Sequence, residues 1–525
     1  MRNIYKISKW LHKYIGLLLV LFLMWMSLSG VLLNHPELIA DLTVPQFLTP
    51  KQYKVKNWNR SSLTELQFLE SDSNIAIGCG KLGVWKTTDG GFSFVSMSDG
   101  LPAEALYRKT RDIFVWEGDS TLIFAGTHHG LYVCNFENEK WRNLKLDGLN
   151  PEIKKIVSAK NELLVFTESE AYKASFPARE LQFQKVKLKR DKEAENTVSL
   201  IRLFFHLHSG EIWGLPGKLL FDIVGIILFF LSISAFYSWY YPWKRKRDKK
   251  GVIVNVPIVK KAFKWFFKYH LKLGIWSAVI LFIMGVTGFF MRPPMLAVIA
   301  EGSIPISWYP GTISDNPWDE KIKNALYDSD KDQLIVEATD GFWVGAADLN
   351  STFENKEMNV PVFVMGTTVF EPIDSTGILT GSFNGLFRWD KETDKSVDLI
   401  EGKDPKTISS IKPAELMVTG FFSTPQLEKF ITTHEQGLLP LNQAEGDGRF
   451  KMSATIRENY SMPLWNWLFE IHNGRFFKDT IGAFYILLVP LGSFFFVLIT
   501  LSGVIDWIYI KIGRNPIMKK LQKNK

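Results

Sequence analysis

Cysteine is nearly absent: Cys79 and Cys134 are the two thiols in 525 residues. That leaves no cysteine cluster for an iron–sulfur centre or a zinc site, and no Cys-x-x-Cys-His for covalent haem attachment. Both cysteines fall in one polar stretch, where they would pair only if an oxidising compartment and the fold both allowed it. No Gly-x-Gly-x-x-Gly follows a strand, so the chain shows no nicotinamide or flavin site of its own. Carboxylates are scarce in the long apolar runs. Asp222 and Asp506 are the exceptions, each near the end of a run, which argues against the ion path of a transporter. Nor do basic residues gather on a folded face with aromatics between them, so the net charge of +8 does not read as nucleic-acid binding.

Four apolar runs are present, at about 14–33, 219–241, 272–291 and 483–508. Each is near or above the roughly 20 residues needed to cross a bilayer. No small-x-small cleavage pattern closes the first run, and its counterpart lies in mid-chain, so it reads as a retained span rather than a signal peptide. Lysine and arginine gather before the first run (Arg2, Lys6, Lys9, Lys13), between the second and third (Lys244 to Lys250, Lys260, Lys261) and in the tail (Lys511, Arg514, Lys519, Lys520). The positive-inside rule then puts both termini and the short loop in the cytoplasm of a bacterial inner membrane, and both long polar segments outside. The predicted layout is a first transmembrane helix in 1–35, a periplasmic β-rich half in 36–205, a second helix in 206–243 and a cytoplasmic basic loop in 244–262. A third helix in 263–293, a second β-rich half in 294–465, a fourth helix in 466–512 and a basic tail in 513–525 complete it.

The halves are copies. His12-Lys-Tyr-Ile-Gly16 … Ser29-Gly30 recurs 258 residues on as His270-Leu-Lys-Leu-Gly274 … Thr287-Gly288. Leu207-His208-Ser209-Gly210 recurs as Ile471-His472-Asn473-Gly474, each shortly before another apolar run. Trp239 and Trp507 hold matched places at the ends of runs two and four and fit an aromatic belt. Within the polar segments a shorter unit repeats: Cys79-Gly-Lys-Leu-Gly83-Val-Trp85, Gly126-Thr-His-His-Gly130-Leu-Tyr132, Glu337-Ala-Thr-Asp-Gly341-Phe-Trp343, Gly381-Ser-Phe-Asn-Gly385-Leu-Phe387 and Thr433-His-Glu-Gln-Gly437-Leu-Leu439. A weaker copy surrounds Ala171-Tyr172. Each is a strand, a tight glycine turn and a second strand. Spacings of about 40–50 residues are those of propeller blades. The expected fold is a four-helix transmembrane bundle of two duplicated halves plus an all-β periplasmic domain, a propeller of about six blades to which each half gives about three. The alternative is one small β-rich or α+β domain per half. His128, His129 and His434 sit at the turns and read as solvent-exposed loop residues.

A pseudo-two-fold axis between duplicated halves would set His12 against His270 near one membrane surface and His208 against His472 near the other. Two imidazoles approaching from opposite sides are what six-coordinate haem iron takes in b-type electron carriers. The expected cofactor is therefore two haems b, ligated by those four histidines. His35 and His206 are nearby alternatives at the outer site, although Pro293 stands where His35 would have its mate. Arg202, Lys218 and Arg475 are candidates to pair haem propionates, with interfacial snorkelling the simpler account of each. The second half has four extra residues between its outer histidine and its span, in Arg475-Phe-Phe-Lys-Asp-Thr480, which would tilt one ligand.

These histidine–glycine motifs, repeated in order in both halves, resemble the PepSY-associated transmembrane family. The resemblance covers the four spans and their edges, roughly a quarter to a third of the chain. It implies an inner-membrane reductase of the ferric-siderophore type, holding two haems b and passing electrons outward. The polar segments do not read as ordinary PepSY modules, so no acceptor carries over. The expected partners are the lipid bilayer, quinol or a separate cytoplasmic reductase as donor, and a periplasmic acceptor such as a ferric chelate. The competing expectation is a non-redox propeller, anchored by four helices and acting as a receptor or assembly factor.

Overall fold

An apolar run in lipid must satisfy its own backbone hydrogen bonds, and each of the four runs does so as a helix. The computed structural model describes residues 2–178, 180–191, 197–247, 257–410, 412–441 and 448–514. Lys249, Lys250, Lys519 and Lys520 of the predicted basic flanks lie outside the described residues. The helices that carry the argument are α1 (Arg2–Leu33), α2 (Leu200–Ser209), α3 (Gly214–Arg247), α4 (Pro257–Phe290), α5 (Leu464–His472) and α6 (Tyr485–Arg514). Of these, α1, α3, α4 and α6 belong to segments long and apolar enough to span a membrane. All six fall in one structural unit, formed by Met1–Ile39, Asn196–Ile313 and Leu464–Lys525.

In that unit α1 packs on α3 and α6, and α4 packs on the same two helices, so α1 and α4 occupy one diagonal of the bundle. Leu19 and Leu23 of α1, Val224 and Leu228 of α3, Leu281 of α4 and Phe496 of α6 meet in its middle. Small residues bring the backbones together. A Cβ on Gly225 would lie 2.8 Å from Val31 Cγ2, and one on Gly285 would lie 2.9 Å from Val497 Cγ2. The short helices α2 and α5 end alike, at Gly210 and Gly474, each with φ of 80°. A left-handed glycine closes a helix at little cost, and each turn leads the chain toward the long helix that follows.

The second unit, Ala40–Glu195 with Ser314–Pro463, is a large all-β domain. Among the described residues, four antiparallel sheets have Glu65–Phe68, Thr110–Glu117, Ile153–Ala159 and Val369–Pro372 as an edge strand, and a fifth, mixed sheet has Ile322–Asp328 at one edge and Lys189–Arg190 at the other. A three-stranded sheet starts at Val418–Ser423. The turn between second and third strands carries the predicted glycine in five of the six: Gly83, Gly130, Gly341, Gly385 and Gly437 all have positive φ.

Each sheet is tied to the next. Gln67 donates to Ile113 O at 3.0 Å, and Asp112 accepts from Ile156 N at 2.7 Å. Ile322 N reaches Glu168 O at 2.9 Å, Glu337 accepts from Thr367 N at 3.0 Å, and Thr368 Oγ1 donates to Val418 O at 2.9 Å. The sixth sheet meets the first so closely that a Cβ on Gly420 would lie 1.9 Å from Thr64 O.

Cys79 and Cys134, whose pairing the sequence leaves open, are both buried free thiols, packed in the apolar core between the first two sheets. One expectation needs correction. His128, His129 and His434 are half-buried, not loose at the turns. His128 pairs with Glu152 at 3.1 Å, His129 stacks on Tyr107 at 4.5 Å, and His434 lies 3.2 Å from Arg60 Nη1. Sheet edges leave such a turn residue facing its neighbour's turn rather than water.

The two sequence halves meet within this unit. Lys189–Arg190 of the first half pairs in parallel with Thr352–Phe353 of the second. The Arg190 side chain has no exposed surface. Its guanidinium lies 3.6 Å from the Trp343 ring centre and 4.7 Å from that of Trp318, and it bonds Asp340 at 2.8 Å. Asp340→Ala would strand that buried cation, and removing one partner of such a pair costs on the order of 3 kcal/mol. The expected outcome is a lower denaturant midpoint for the detergent-solubilised chain; an unchanged midpoint would show that Trp318, Trp343 and the Pro317 carbonyl suffice.

Candidate functional site

Helical spacing sets two levels in the bundle. Seventeen residues separate His12 from Ser29 on α1, and seventeen separate His270 from Thr287 on α4. At 1.5 Å per residue this is about 25 Å of helix. At one level His12 and His270 face each other from diagonal helices, their ring centroids 6.1 Å apart and their planes crossed at 81°. At the other level His208 of α2 and His472 of α5 repeat the arrangement, with centroids 6.3 Å apart and planes at 74°. The four predicted histidines thus come together as two pairs, in the predicted combinations. All four rings are half-buried.

A hydroxyl on a neighbouring helix holds each ring at Nδ1. The distances are 2.8 Å from His472 to Ser29, 2.9 Å from His208 to Thr287, 2.7 Å from His270 to Ser234 and 3.2 Å from His12 to Ser502. Desolvation lowers the pKa of His208 to about 4 and of His472 to about 3, so both imidazoles are neutral near pH 7. A 3-10 turn follows the outer histidine in both halves, at Glu211–Trp213 and Arg475–Phe477, and the four extra residues of the second half form the short helix Lys478–Ile481. His472 keeps the same partner chemistry as His208 across that insertion.

The remaining candidates have partners of their own. His206 Nδ1 lies 2.7 Å from the Tyr309 hydroxyl. Arg475 makes a two-pronged bond to Glu470 at 2.9 and 2.6 Å, and Lys218 pairs with Glu211 at 2.6 Å. Arg202 sits in the first turn of α2, its backbone N–H capped by Ser199. His35 is bound to two carboxylates, Asp222 at 2.7 Å and Glu37 at 3.0 Å. Among the described residues, no three or more histidine, cysteine, aspartate or glutamate side chains converge as a metal cluster. A paired-imidazole site needs only two.

Over residues 9–509 the sequence matches the family described as the PepSY-associated TM region. The chain belongs to that family. No curated protein matches this PepSY-associated transmembrane protein. Among solved structures it is similar to the extracellular domains of a one-component and a hybrid two-component system from B. thetaiotaomicron, and to an ancestral GH74 enzyme. Identity is 10% in each case, with TM-scores of 0.32, 0.33 and 0.33. The matches cover 74% of this chain and 40%, 39% and 46% of those structures, so it spans less than half of their length. Likeness at that level carries no argument about role.

Sequence reasoning missed the hydroxyls and the acid beside His35. Ser29 and Thr287 stood inside the quoted motifs, each just before a glycine, and that position was the available signal. Asp222 was noted only as an isolated carboxylate. It is buried, and it also accepts from Asn34 Nδ2 at 3.0 Å, whose amide donates in turn to Ser209 O at 3.2 Å.

The hydrogen bond to Asp222 raises the His35 pKa above its ordinary 6.5, with burial opposing and Glu37 adding to the rise. A raised folded pKa means the pair's stabilisation is complete below pH 6.5 and is lost as pH rises through the folded value. The melting temperature of the detergent-solubilised PepSY-associated protein should therefore fall across that window, and Asp222→Asn should flatten the fall. A variant that keeps the wild-type slope would assign the pH dependence elsewhere.

Proposed function

We propose that this protein is a di-haem b electron conduit, with one haem held between His12 and His270 and the other between His208 and His472. The observation that carries the reading is the spacing of the rings. With a metal–imidazole bond of about 2 Å and roughly 1.2 Å from nitrogen to ring centre, two imidazoles holding one metal from opposite sides would have centroids about 6.4 Å apart. The two pairs, at 6.1 and 6.3 Å, come close to that distance. Edge-to-face packing of free rings spans about 4.5–7 Å, so the weight lies on the same spacing recurring at both pairs of matched histidines. When bound, haem supplies one-electron chemistry. The chain's own part is to hold neutral imidazoles face to face, to exclude water with the Leu19, Leu228 and Phe496 layer between the levels, and to shape each potential through its surroundings.

On this reading electrons enter on the cytoplasmic side, from quinol or a separate reductase, and leave to an acceptor held by the β domain, such as a ferric chelate. The link from each sheet to the next, with the sixth against the first, supports the further reading of a propeller of about six blades shared by both halves. A ring closed in that way leaves only short, protected sheet edges.

The test is the absorption spectrum of the purified chain, oxidised and dithionite-reduced, with a haem count. About two haems b per chain are expected, with sharp low-spin bands and loss of about one haem in either His12→Ala or His472→Ala. A colourless protein made with ample haem would remove the redox reading and leave a membrane-anchored receptor or assembly factor.

A further inference from the structure

The strongest constraint on each imidazole comes from donor accounting. Each of the four hydroxyls at the paired histidines also lies within donating distance of a carbonyl on its own helix: Ser29 to Trp25 at 2.8 Å, Thr287 to Ile283 at 2.7 Å, Ser234 to Leu231 at 2.9 Å and Ser502 to Ile499 at 2.9 Å. A hydroxyl has one proton and two lone pairs. A hydroxyl that donates to the carbonyl can only accept from the ring, an arrangement that puts the ring hydrogen on Nδ1. His12 meets the same rule a second time, since its Nδ1 lies 2.9 Å from Ile499 O, an atom that cannot donate. In all four rings Nε2 is then left with the lone pair that a metal takes.

The neighbouring atom of the ring is confined as well. A Cβ on Gly503, Gly288 or Gly30 would come within 3.0, 3.2 or 3.4 Å of Cε1 of His12, His208 or His472. The glycine after each of those three hydroxyls is therefore the floor on which the ring lies. A ring bonded at Nδ1 and packed at Cε1 cannot swing about its own axis without losing both contacts.

We infer that Ser29, Ser234, Thr287 and Ser502 are positioning residues that fix the tautomer and the plane of each imidazole, so that each pair offers a metal two crossed rings through Nε2. This role rests on the paired-imidazole reading of the site. Crossed axial imidazoles act equally on the two iron orbitals that overlap the ring π systems. Those orbitals stay close in energy, and oxidised low-spin haem then gives one broad low-field resonance. Parallel rings split the orbitals and give three resolved lines.

The experiment is electron paramagnetic resonance and redox titration of the full haem-loaded chain in detergent. Wild type should show low-field features for both haems. Thr287→Val keeps the bulk and removes the acceptor. It should convert one feature toward the three-line pattern and raise one midpoint, since the ring no longer gains electron density through Nδ1–H. The expected size is on the order of tenfold in ferrous preference, about 59 mV for one electron. Thr287→Ser should restore the wild-type signal, and Ser234→Ala should act on the other haem alone. Loss of one haem in Thr287→Val with retention in Thr287→Ser supports the same role. Three resolved lines from wild type, or wild-type signals and midpoints in Thr287→Val and Ser234→Ala, would overturn it. The paired-imidazole reading would survive that result if His208→Ala still removed a haem. A wild-type chain that binds no haem would end both.

Discussion

The membrane unit depends on one repeated contact, a histidine Nδ1 against a serine or threonine hydroxyl on another helix. In apolar surroundings neither group tolerates being left without a partner. The histidine therefore selects which helix lies beside it and at what height. His12 ties α1 to α6, His270 ties α4 to α3, His472 ties α5 to α1 and His208 ties α2 to α4. These four ties link the six helices as two trios, α1 with α5 and α6, and α2 with α3 and α4, while the leucine and phenylalanine layer between the levels packs the trios together without direction. Side-chain hydrogen bonds between membrane helices are worth only about 1 kcal/mol each, so the four contribute more to register than to stability.

Duplication explains why the pairs face each other. A single copy of the unit brings one histidine to each level on a helix that cannot wrap around a ligand. Two copies related by an approximate two-fold bring the same residue from opposite sides. The symmetry holds where the rings are held and fails around them. His35 has Pro293 as its counterpart, and if Ser234 is matched to Ser502, Asp222 is matched to Pro490. The first half alone thus carries the chain from Asp222 through Asn34 to the Ser209 carbonyl, next to His208. One level gains a carboxylate network on one flank, and the other does not. If the paired histidines hold haem as proposed, identical ligand sets in unlike surroundings would give a duplicated site two unequal potentials.

Much of this was legible in the sequence because it lies along the chain. The spans follow from length and apolarity, and the histidine pairs from a pattern that recurs at fixed offset. The strand–glycine–strand units of the β domain follow from where a positive φ is needed, as at Gly83 and Gly437. What was not legible lies across the chain. Ser29 and His472 are 443 residues apart, and nothing local marks that serine as an acceptor. Ser234 has a weaker signal still, since Ala235 stands where the other three hydroxyls are followed by glycine. His128 and His434 were misread for the same reason: a turn on one sheet edge packs against a turn on the next, and local sequence does not describe the neighbour.

That exception at Ala235 bears on how the floor of each site is built. Where the floor is glycine, the ring's Cε1 lies close enough that a methyl would press on it at Gly503 and Gly288 and touch it at Gly30. At His270 the chain carries that methyl and still keeps a 2.7 Å bond to Ser234, the shortest of the four. Ring capture therefore does not require glycine; it requires the hydroxyl. Glycine sets how near the ring may lie to the helix that holds it, and the hydroxyl sets which edge of the ring is left for a ligand. The second property is the one that all four positions share.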